Sequence, residues 1–509
     1  MALTIKNAWI ALIFQLLYVI IQFFSRNIFL DNLGDEFIGV VETLKSILQF
    51  LNLSELGIGT AVGFALYKPI YDNNKKEINN IIGYLGFLYK RIGLFVLGAS
   101  LLLMFFFPLF FEKTSIDLPT ILFLFSALLI SNLLSYFFAY YMFLLEADQK
   151  GFINITIGQS VFILRLVLQC LVLIYLQNVM LWILLELLTP FVYIFILRKK
   201  IRHTYPWLVF NLKLTKDNRN NQKSLLKKIK QISFHKLGTF VSNSTDNIIV
   251  FSMVNPAMVA FVGNYQMIIN NINLLVSKLF DGTNASVGNL VAENDLKTML
   301  KVFWEFMALR FLIAGCSTIL LYIGFDSLIT LWLGEKYLLS NTILIVLIMI
   351  FFVLQIRQPI DSFKQAYGLY DDIWSPVAQS VINLVFSIIF VLKYGVLGVF
   401  LGTLLSQLIV VMLWRPYYVF KYGFKINHWI YWKGFGLHLV YLSIAFAIYY
   451  LISKNFIFTT DGSLFLLFQQ LLKFGMLFFV IYFSIMCIFS KGFKNLLHRF
   501  YKLMVKKFN

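Results

Sequence analysis

The stretch PTILFLFSALLISNLLSYFFAYYMFLL, residues 119–145, contains no charged side chain. A helix crosses the ~30 Å hydrocarbon core of a bilayer with roughly 20 residues, so this segment is long enough to span a membrane. Strands of transmembrane barrels alternate apolar and polar residues over ~10 positions, and this segment does not. It therefore predicts a transmembrane α-helix.

The rest of the chain has a similar composition. Hydrophobic residues make up 60% of the 509 positions and charged residues 13%, whereas a soluble domain carries about 25% charged residues. The apolar segments predict an all-α polytopic membrane protein with about fourteen transmembrane helices. The predicted spans are residues 8–30, 37–67, 84–112, 119–145, 152–176, 179–198, 234–254, 257–283, 302–325, 341–366, 375–392, 396–418, 432–453 and 464–489.

The three cysteines, Cys170, Cys316 and Cys487, fall far apart within predicted spans. This distribution favours small apolar filler over a disulfide or thiol chemistry, and no metal site is expected.

Lysine and arginine are concentrated in the loops on one side of the predicted bundle. An even number of spans places both termini on that side, with the basic segments 68–76, 199–233, 421–433 and 491–507. The positive-inside rule makes this side cytoplasmic. Basic loops beside an anionic leaflet also account for the net charge of +19, so no nucleic-acid partner is expected.

Matches at a nearly constant spacing of about 220 residues indicate an internal repeat. The matched positions are SRNIFL at 25–30 with TDNIIV at 245–250, Lys45, Gln49 and Asn52 with Gln266, Asn270 and Asn273, and Asn73 with Asn294. We therefore expect two homologous six-helix lobes with two further helices appended.

The predicted organisation follows from this repeat. It comprises an N-lobe at 1–198 (spans 1–6), a cytoplasmic linker with an amphipathic segment at 199–233, a C-lobe at 234–420 (spans 7–12), spans 13 and 14 at 421–490, and a basic cytoplasmic tail at 491–509.

Four predicted spans carry polar side chains at steps of three or four residues, which place them on one helical face. These are Glu42, Lys45, Gln49, Asn52 and Glu55; His235, Thr239, Ser242 and Asp246; Gln266, Asn270, Asn273, Ser277 and Asp281; and Arg357, Asp361 and Lys364. A charge at the bilayer centre costs at least about 2.5–3.5 kcal/mol. We therefore expect the stripes to line a hydrated cleft, whose surplus of cations suits an anionic substrate.

Simpler interpretations stay open for several of these charges. Arg91, Lys278 and Asp281 are placed where they could extend to the interface. Arg357, Asp361 and Lys364 could form a self-neutralising structural network, and Glu55 could satisfy a backbone group at a bend.

Short motifs along the chain resemble those of the Wzx-like polysaccharide-transporter flippases. They are NLG at 32–34, SELGIGTA at 54–61, LYKP at 66–69, EADQK at 146–150, HKLG at 235–238, STDNII at 244–249 and GNL at 288–290. The motifs cover about residues 30–290.

This resemblance implies the fold of the multidrug/oligosaccharidyl-lipid/polysaccharide superfamily, with two six-helix lobes in a V shape. It implies translocation of undecaprenyl-pyrophosphate-linked sugar repeat units across the bacterial cytoplasmic membrane, for O-antigen or capsule synthesis. Expected partners are this lipid-linked glycan, membrane lipids, and polysaccharide-assembly proteins such as a polymerase. The prenyl tail would stay among lipids while the polar head crosses a hydrated cavity.

The candidate residues divide by role. The substrate-binding candidates are Arg26, Lys45, Arg91, Arg310, Arg357 and Lys364. For coupling to Na⁺ or H⁺, Asp246 comes first, followed by Glu55 and Asp361. The polar lining is predicted as Glu42, Gln49, Asn52, His235, Gln266, Asn270 and Asn273. Gly57, Gly59 and Pro359 are candidate hinges, although the glycines could equally serve close helix packing.

No nucleotide-binding motif is present, so no cofactor is expected and an ion gradient is the natural energy source. The rival functions are a multidrug or cation antiporter of the same superfamily and a lipid-linked peptidoglycan precursor flippase. A membrane-embedded polysaccharide polymerase or ligase is the rival from a different class. The short outer loops disfavour it, as does the lack of a catalytic partner there for any of the five histidines.

Overall fold

The computed structural model describes residues 2–52, 58–209, 245–280, 283–454 and 462–508. Several predicted features lie outside the described residues. They are Glu55, Gly57, His235, Thr239, Ser242, Asp281 and the amphipathic segment of the linker.

The described chain consists of helices and short connections, with no strand among the described residues. The α-helices are α1 Ala2–Leu33, α2 Asp35–Leu51, α3 Ile58–Tyr71, α4 Lys75–Phe105, α5 Phe107–Phe110, α6 Leu118–Leu134, α7 Met142–Ala147, α8 Gly151–Leu171, α9 Val179–Thr204, α10 at 245–253, α11 Pro256–Phe280, α12 Thr283–Glu293, α13 Leu296–Trp332, α14 Asn341–Ile356, α15 Gln358–Ala366, α16 Trp374–Tyr394, α17 Val396–Ser406, α18 Arg415–Tyr418, α19 Trp429–Ser453, α20 Leu464–Phe489 and α21 Lys491–Phe508. Wider π-helical turns occupy Ser135–Ala139, Val172–Leu176, Gln407–Trp414 and Val419–Gly423, and a 3₁₀ turn occupies Glu335–Tyr337.

Within the described part, 11 helices are long and apolar enough to cross a membrane. They correspond to predicted spans 1, 3–6 and 9–14. The predicted second span contains α2 and α3, and residues 53–57 between them lie outside the described residues. The seventh lies largely outside the described residues, and the eighth is α11. The tail at 491–509 was predicted only as basic, and most of it is the helix α21.

Side chains that accept backbone hydrogen bonds fix where several helices begin. Asn74, Asp117, Asn178 and Asp295 each cap the helix that follows. Such caps satisfy amide groups that have no partner within the helix. Asp117 precedes the span that begins at Leu118, and hydrogen bonds from Thr120 lower the pKa of its carboxyl.

Backbone geometry repeats between the two halves at the connections between helices. Asn73 and Asn294 both adopt left-handed φ angles, of 51° and 55°, and each is followed by a capping residue that starts the next helix. Left-handed conformations also recur at Gln149 and Gly368, and at Gln177 and Gly395. These positions are again separated by about 220 residues. Since non-glycine residues rarely adopt this conformation, the coincidence supports the internal repeat.

The described residues divide into two compact units, Met1–Met267 and Ile268–Asn509. The first unit includes α10 and the start of α11, and the Asn247 amide donates to the Ser46 hydroxyl at 3.1 Å. The lobe boundaries predicted from the repeat stay a prediction.

In the second unit, the two C-terminal spans α19 and α20 pack with α21 against α13. Their core contains Leu312, Leu442, Phe478, Tyr482 and Phe493. Close approach depends on Gly315, where a β-carbon would lie 2.7 Å from Leu442 and 2.8 Å from Tyr482. Small residues at such crossings let helices approach closely in lipid, where packing drives their association.

Candidate functional site

Arg26 is held entirely by groups of its own unit. Its guanidinium donates to Glu42 and Asn264, each at 2.6 Å, and to the Ala260 carbonyl at 2.9 Å. These partners lie on α2 and α11, so Arg26 joins three helices. Asn264, which is fully buried, was missed by the sequence analysis because it lies outside the predicted polar stripe of its helix.

A second charged cluster lies between α8 and α9. The Arg165 guanidinium lies 2.8 Å from the Glu186 carboxylate, and the Gln169 amide donates to the same carboxylate at 3.2 Å. Glu186 is only 5% exposed. Neither Arg165 nor Glu186 is among the site residues predicted from the sequence, because a pairing across two helices leaves no local sequence signal.

Lys45 differs from these residues because its side chain is exposed. Its charge interacts electrostatically with Glu186, and it forms no ion pair or hydrogen bond among the described residues. Lys45 therefore keeps an ammonium group available to a ligand.

The remaining polar face of α2 is divided between exposed and bonded groups. Gln49 is exposed, whereas Asn52 accepts a hydrogen bond from the Tyr136 hydroxyl at 2.6 Å and donates to Asn132 at 3.3 Å. Asn52 therefore joins α2 to the connection after α6. Glu42, the first residue of the stripe, is occupied by Arg26.

Arg310, on α13, is the most enclosed of the cationic candidates, with 3% of its surface exposed. Its guanidinium donates to the Gln355 side chain at 3.1 Å, and the Gln355 amide in turn donates to Asn273. The Phe280 ring lies against its face, with the ring centre 3.8 Å from the guanidinium carbon.

No carboxylate pairs with Arg310 among the described residues, and its Nε has no hydrogen-bond partner there. A buried cation without a counter-ion is costly unless another anion neutralises it. The cluster of Arg310, Gln355 and Asn273 is therefore suited to receive an anionic group.

The other members of the predicted stripe on α11 are less enclosed. Gln266 is half-buried, and Asn270 and Ser277 are exposed. Within this stripe, Asn273 is linked to a cationic candidate, because Gln355 bonds both Asn273 and Arg310.

The charges of the predicted tenth span form ion pairs with residues that the sequence analysis did not select. Asp361 lies 2.9 Å from Arg415 and 3.3 Å from Arg357. Arg415 also donates to Gln379 at 3.1 Å. Two guanidinium groups therefore stabilise the ionised form of Asp361.

Lys364 makes a second pair in the same region. Its ammonium lies 2.7 Å from both Asp372 oxygens, and Asp372 also accepts from Ser375 and Trp414. The two pairs join α15 to the connection that precedes α16 and to the start of α18. This geometry matches the self-neutralising network that the sequence analysis left open. Asp372 and Arg415 were missed because they lie 8 and 54 residues from their partners.

Two further candidates have contrasting surroundings. Arg91 is exposed and lies over the Phe87 ring, with 4.5 Å between the guanidinium carbon and the ring centre. Asp246, the first candidate for ion coupling, is 5% exposed in α10.

Two of the candidate hinges lie within the described residues, each near the start of a helix. Pro359 is the second residue of α15, directly after the break at Arg357 that separates α15 from α14. Proline suits this position because an amide at the start of a helix has no acceptor within it. Gly59 lies in the first turn of α3.

Taken together, the described charges divide into two classes. Arg26, Arg165, Arg357, Lys364 and Arg415 are bound to carboxylates of their own unit. Lys45, Arg91 and Arg310 form no ion pair with a carboxylate within the part of the chain that the structure describes.

No model of a known protein family and no curated protein matches the sequence. Solved membrane transporters nevertheless share its fold. A structure of the lipid II flippase MurJ in the inward closed conformation matches with a TM-score of 0.64 at 18% identity, covering 94% of this chain and 98% of the flippase.

Two further transporters of known structure are also similar. An inward-facing multidrug resistance transporter of the MATE family, within the MOP superfamily, gives a TM-score of 0.60 at 12% identity, covering 81% of this chain and 98% of the transporter. A MOP superfamily transporter from Pyrococcus furiosus gives 0.56 at 13% identity, covering 84% and 96%. The predicted fold class is confirmed: this chain is a multi-pass α-helical membrane protein with the fold of MOP superfamily transporters.

Proposed function

We propose that this protein is a flippase that moves undecaprenyl-pyrophosphate-linked oligosaccharide repeat units across the bacterial cytoplasmic membrane. The observation that carries the proposal is the surrounding of Arg310, a buried guanidinium with a neutral hydrogen-bond partner and no carboxylate among the described residues. Guanidinium groups bind phosphate oxygens by paired, charge-assisted hydrogen bonds. A pyrophosphate would supply negative charge that the described neighbours of Arg310 do not provide.

The fold supports a lipid-linked substrate. The lipid II flippase matches a larger share of this chain than the multidrug transporter does, at 94% against 81%. The surplus cations at Lys45 and Arg310 also disfavour the export of cationic drugs, since like charges repel within a low-dielectric protein.

The physical problem of such a reaction is the transfer of a diphosphate and several sugars through hydrocarbon. The free-energy cost of burying these groups without hydrogen bonds is prohibitive, whereas the apolar prenyl chain is stable in the hydrocarbon core. Polar groups such as Gln266, Asn270 and Gln49 could hydrogen-bond the glycan while the cations hold the pyrophosphate. Arg26 and Lys364 would support the protein around the substrate, because both are already bound to carboxylates.

Coupling to a Na⁺ or H⁺ gradient is part of the proposal. Asp246 is the coupling acid that we favour because it is buried in a predicted span, where an ionisable residue is costly and therefore functional by default. Asp361 is less suited, since two arginines hold it in the ionised state. Glu55 lies outside the described residues.

Deletion of the gene in its native host tests the proposal. We expect loss of surface polysaccharide and accumulation of lipid-linked repeat units on the cytoplasmic leaflet, restored by the wild-type gene. Accumulation of lipid-linked peptidoglycan precursor instead would assign the rival flippase function. Normal appearance of repeat units on the outer leaflet would refute both.

A further inference from the structure

A pocket of about 460 Å³ lies in the second unit, away from the charged clusters described above. It is formed by the start of α13, the first half of α19, and the junction between α20 and α21. Three lysines, Lys297, Lys301 and Lys491, are among the residues that line it.

These lysines keep their charge available. Their side chains are exposed, and none forms an ion pair among the described residues. Glu305 and Asp295 lie nearby and interact electrostatically with Lys301 and Lys297, but the Glu305 carboxylate binds Arg499 at 2.8 Å and Asp295 caps the start of α13. No acidic residue is among those that line the pocket, so its lining carries a net positive charge.

The pocket is also lined by apolar and aromatic side chains. Leu437 and Phe489 are exposed, and Phe489 stacks on Tyr441 with 6.1 Å between ring centres. Trp304 stacks on His438 at 5.9 Å with nearly parallel rings. A lining of lysines and apolar groups together suits an amphiphile with an anionic head.

Close packing of the surrounding helices gives the pocket a defined shape. A β-carbon at Gly492 would lie 2.8 Å from the Trp304 carbonyl carbon, and one at Gly434 would collide with the Trp304 ring. His438 also hydrogen-bonds the Gly434 carbonyl through Nδ1 at 2.7 Å. Glycines at 434 and 492 thus let α19 and α21 approach α13 on either side of Trp304.

The position along the helices places the lysines at a membrane surface. α13 has 37 residues, so it is about 55 Å long and exceeds the ~30 Å hydrocarbon core. Its first turns, with Lys297 and Lys301, therefore extend beyond the core. Tryptophan and tyrosine favour this interfacial depth. The distribution of lysines in the sequence predicts that this end is cytoplasmic.

α21 has the features of a helix that lies in the interface. Its sequence, KGFKNLLHRFYKLMVKKF, contains six lysines and arginines and no acidic residue. Phe493 is buried in the protein core, whereas Leu497, Phe500 and Tyr501 are exposed. An amphipathic basic helix of this kind binds anionic lipid surfaces.

We propose that the pocket binds the headgroup of an anionic glycerophospholipid from the cytoplasmic leaflet. Lys297, Lys301 and Lys491 would contact the phosphate, and Trp304 and Leu437 would contact the glycerol and the upper acyl chains. This site is separate from the proposed transport function and does not depend on it.

Native mass spectrometry of the full-length protein in a non-ionic detergent tests the proposal. The probes are phosphatidylglycerol and phosphatidylcholine, which share acyl chains and differ in net charge. We expect the wild-type protein to retain phosphatidylglycerol preferentially. The triple variant Lys297→Gln, Lys301→Gln, Lys491→Gln should bind it about tenfold or more weakly, since each lysine near an anionic surface contributes appreciably.

A matched control is the triple variant Lys68→Gln, Lys76→Gln, Lys433→Gln. It removes the same charge from exposed lysines that are predicted on the same side and lie outside both the pocket and α21, and its affinity should stay within about threefold of wild type. Equal weakening in both triple variants would show diffuse surface attraction and overturn the proposal.

Two further arms complete the test. Leu437→Trp narrows the pocket without a change in charge and should also weaken phosphatidylglycerol binding, so the proposal stays testable if the lysine variant folds poorly. Glycerol phosphate should compete only at far higher concentration than the lipid. Equal competition by glycerol phosphate, or a preference for undecaprenyl phosphate that the pocket variants remove, would overturn the assignment to a membrane phospholipid.

Discussion

The guanidinium of Arg310 donates one hydrogen bond to a neutral amide oxygen, whereas that of Arg26 makes three hydrogen bonds, one of them to a carboxylate. At the scale of single residues, this difference separates a cation that can receive a substrate from one that holds helices together. It also gives the two residues different expected phenotypes.

Substitution of Arg310 by glutamine should abolish export while the protein remains folded. The variant removes a buried charge without leaving a carboxylate unpaired, so we expect a melting temperature equal to or above that of wild type. Surface polysaccharide and detergent-solubilised thermal unfolding measure the two effects. Unchanged export would relegate Arg310 to a structural role.

Substitution of Glu186 by alanine should have the opposite pattern, because it leaves the Arg165 guanidinium buried without its partner. Loss of one member of a buried pair costs about 3–5 kcal/mol. We expect a markedly lower melting temperature and reduced expression. The double variant Arg165→Met, Glu186→Leu should recover most of the stability, and a double variant as unstable as the single one would argue against this account.

At the scale of helices, the ion pairs of α15 fix it to its neighbours. Asp361 binds Arg415 at the start of α18, and Lys364 binds Asp372 before α16. The break at Arg357 makes these contacts possible, since α15 begins a new helix rather than extending α14. Arg357, Asp361 and Lys364 form one stripe in the sequence, but their ion pairs lead to different parts of the fold. Asp361 contacts α18, and Lys364 contacts the connection before α16.

Substitution of Asp361 by asparagine should destabilise this junction, because Arg357 and Arg415 would then face each other without an acid between them. The expected result is a fall in melting temperature together with loss of export. Arg310→Gln is the comparison, since it should lose export alone. A stable Asp361→Asn protein that fails only in gradient-driven transport would instead favour Asp361 as the coupling acid.

Close packing of α13 on the two C-terminal spans gives a prediction about helix association. Gly315→Ala places a β-carbon against Leu442 and Tyr482 and should cost about 1–3 kcal/mol, as overpacked cores do. Gly98→Ala is the control, because nothing lies within 4 Å of the added carbon and alanine favours the helix. The two thermal shifts should have opposite signs, and equal shifts would refute the packing argument.

At the scale of the whole molecule, topology can be tested by labelling. In a background without Cys170, Cys316 and Cys487, single substitutions Lys76→Cys and Lys502→Cys should react with a membrane-impermeant maleimide only after the cells are opened. Lys336→Cys and Lys393→Cys should react in intact cells, because the basic loops orient the chain. Reaction of Lys502→Cys in intact cells would invert the predicted topology.

The membrane class, most of the spans and the internal repeat could be predicted from the amino-acid sequence. A long uncharged segment such as 119–145 predicts a transmembrane helix from its length and apolar composition. Both properties belong to a continuous stretch of sequence. The pairing of Asn73 with Asn294 was visible as a weak match and is strengthened by a shared left-handed backbone. Helix interruptions were harder to predict. A break such as that at Arg357 depends on which neighbouring groups hydrogen-bond the backbone at the two helix ends.

Which charges within the spans are neutralised could not be predicted without the packing of the helices. The stripes of the sequence place side chains on one face of a helix, but they do not reveal what the facing helix presents. Arg415 neutralises Asp361 from 54 residues away, and Asn264 reaches Arg26 from 238. Such contacts depend on how helices pack, since an ion pair is set by distances in space rather than along the chain.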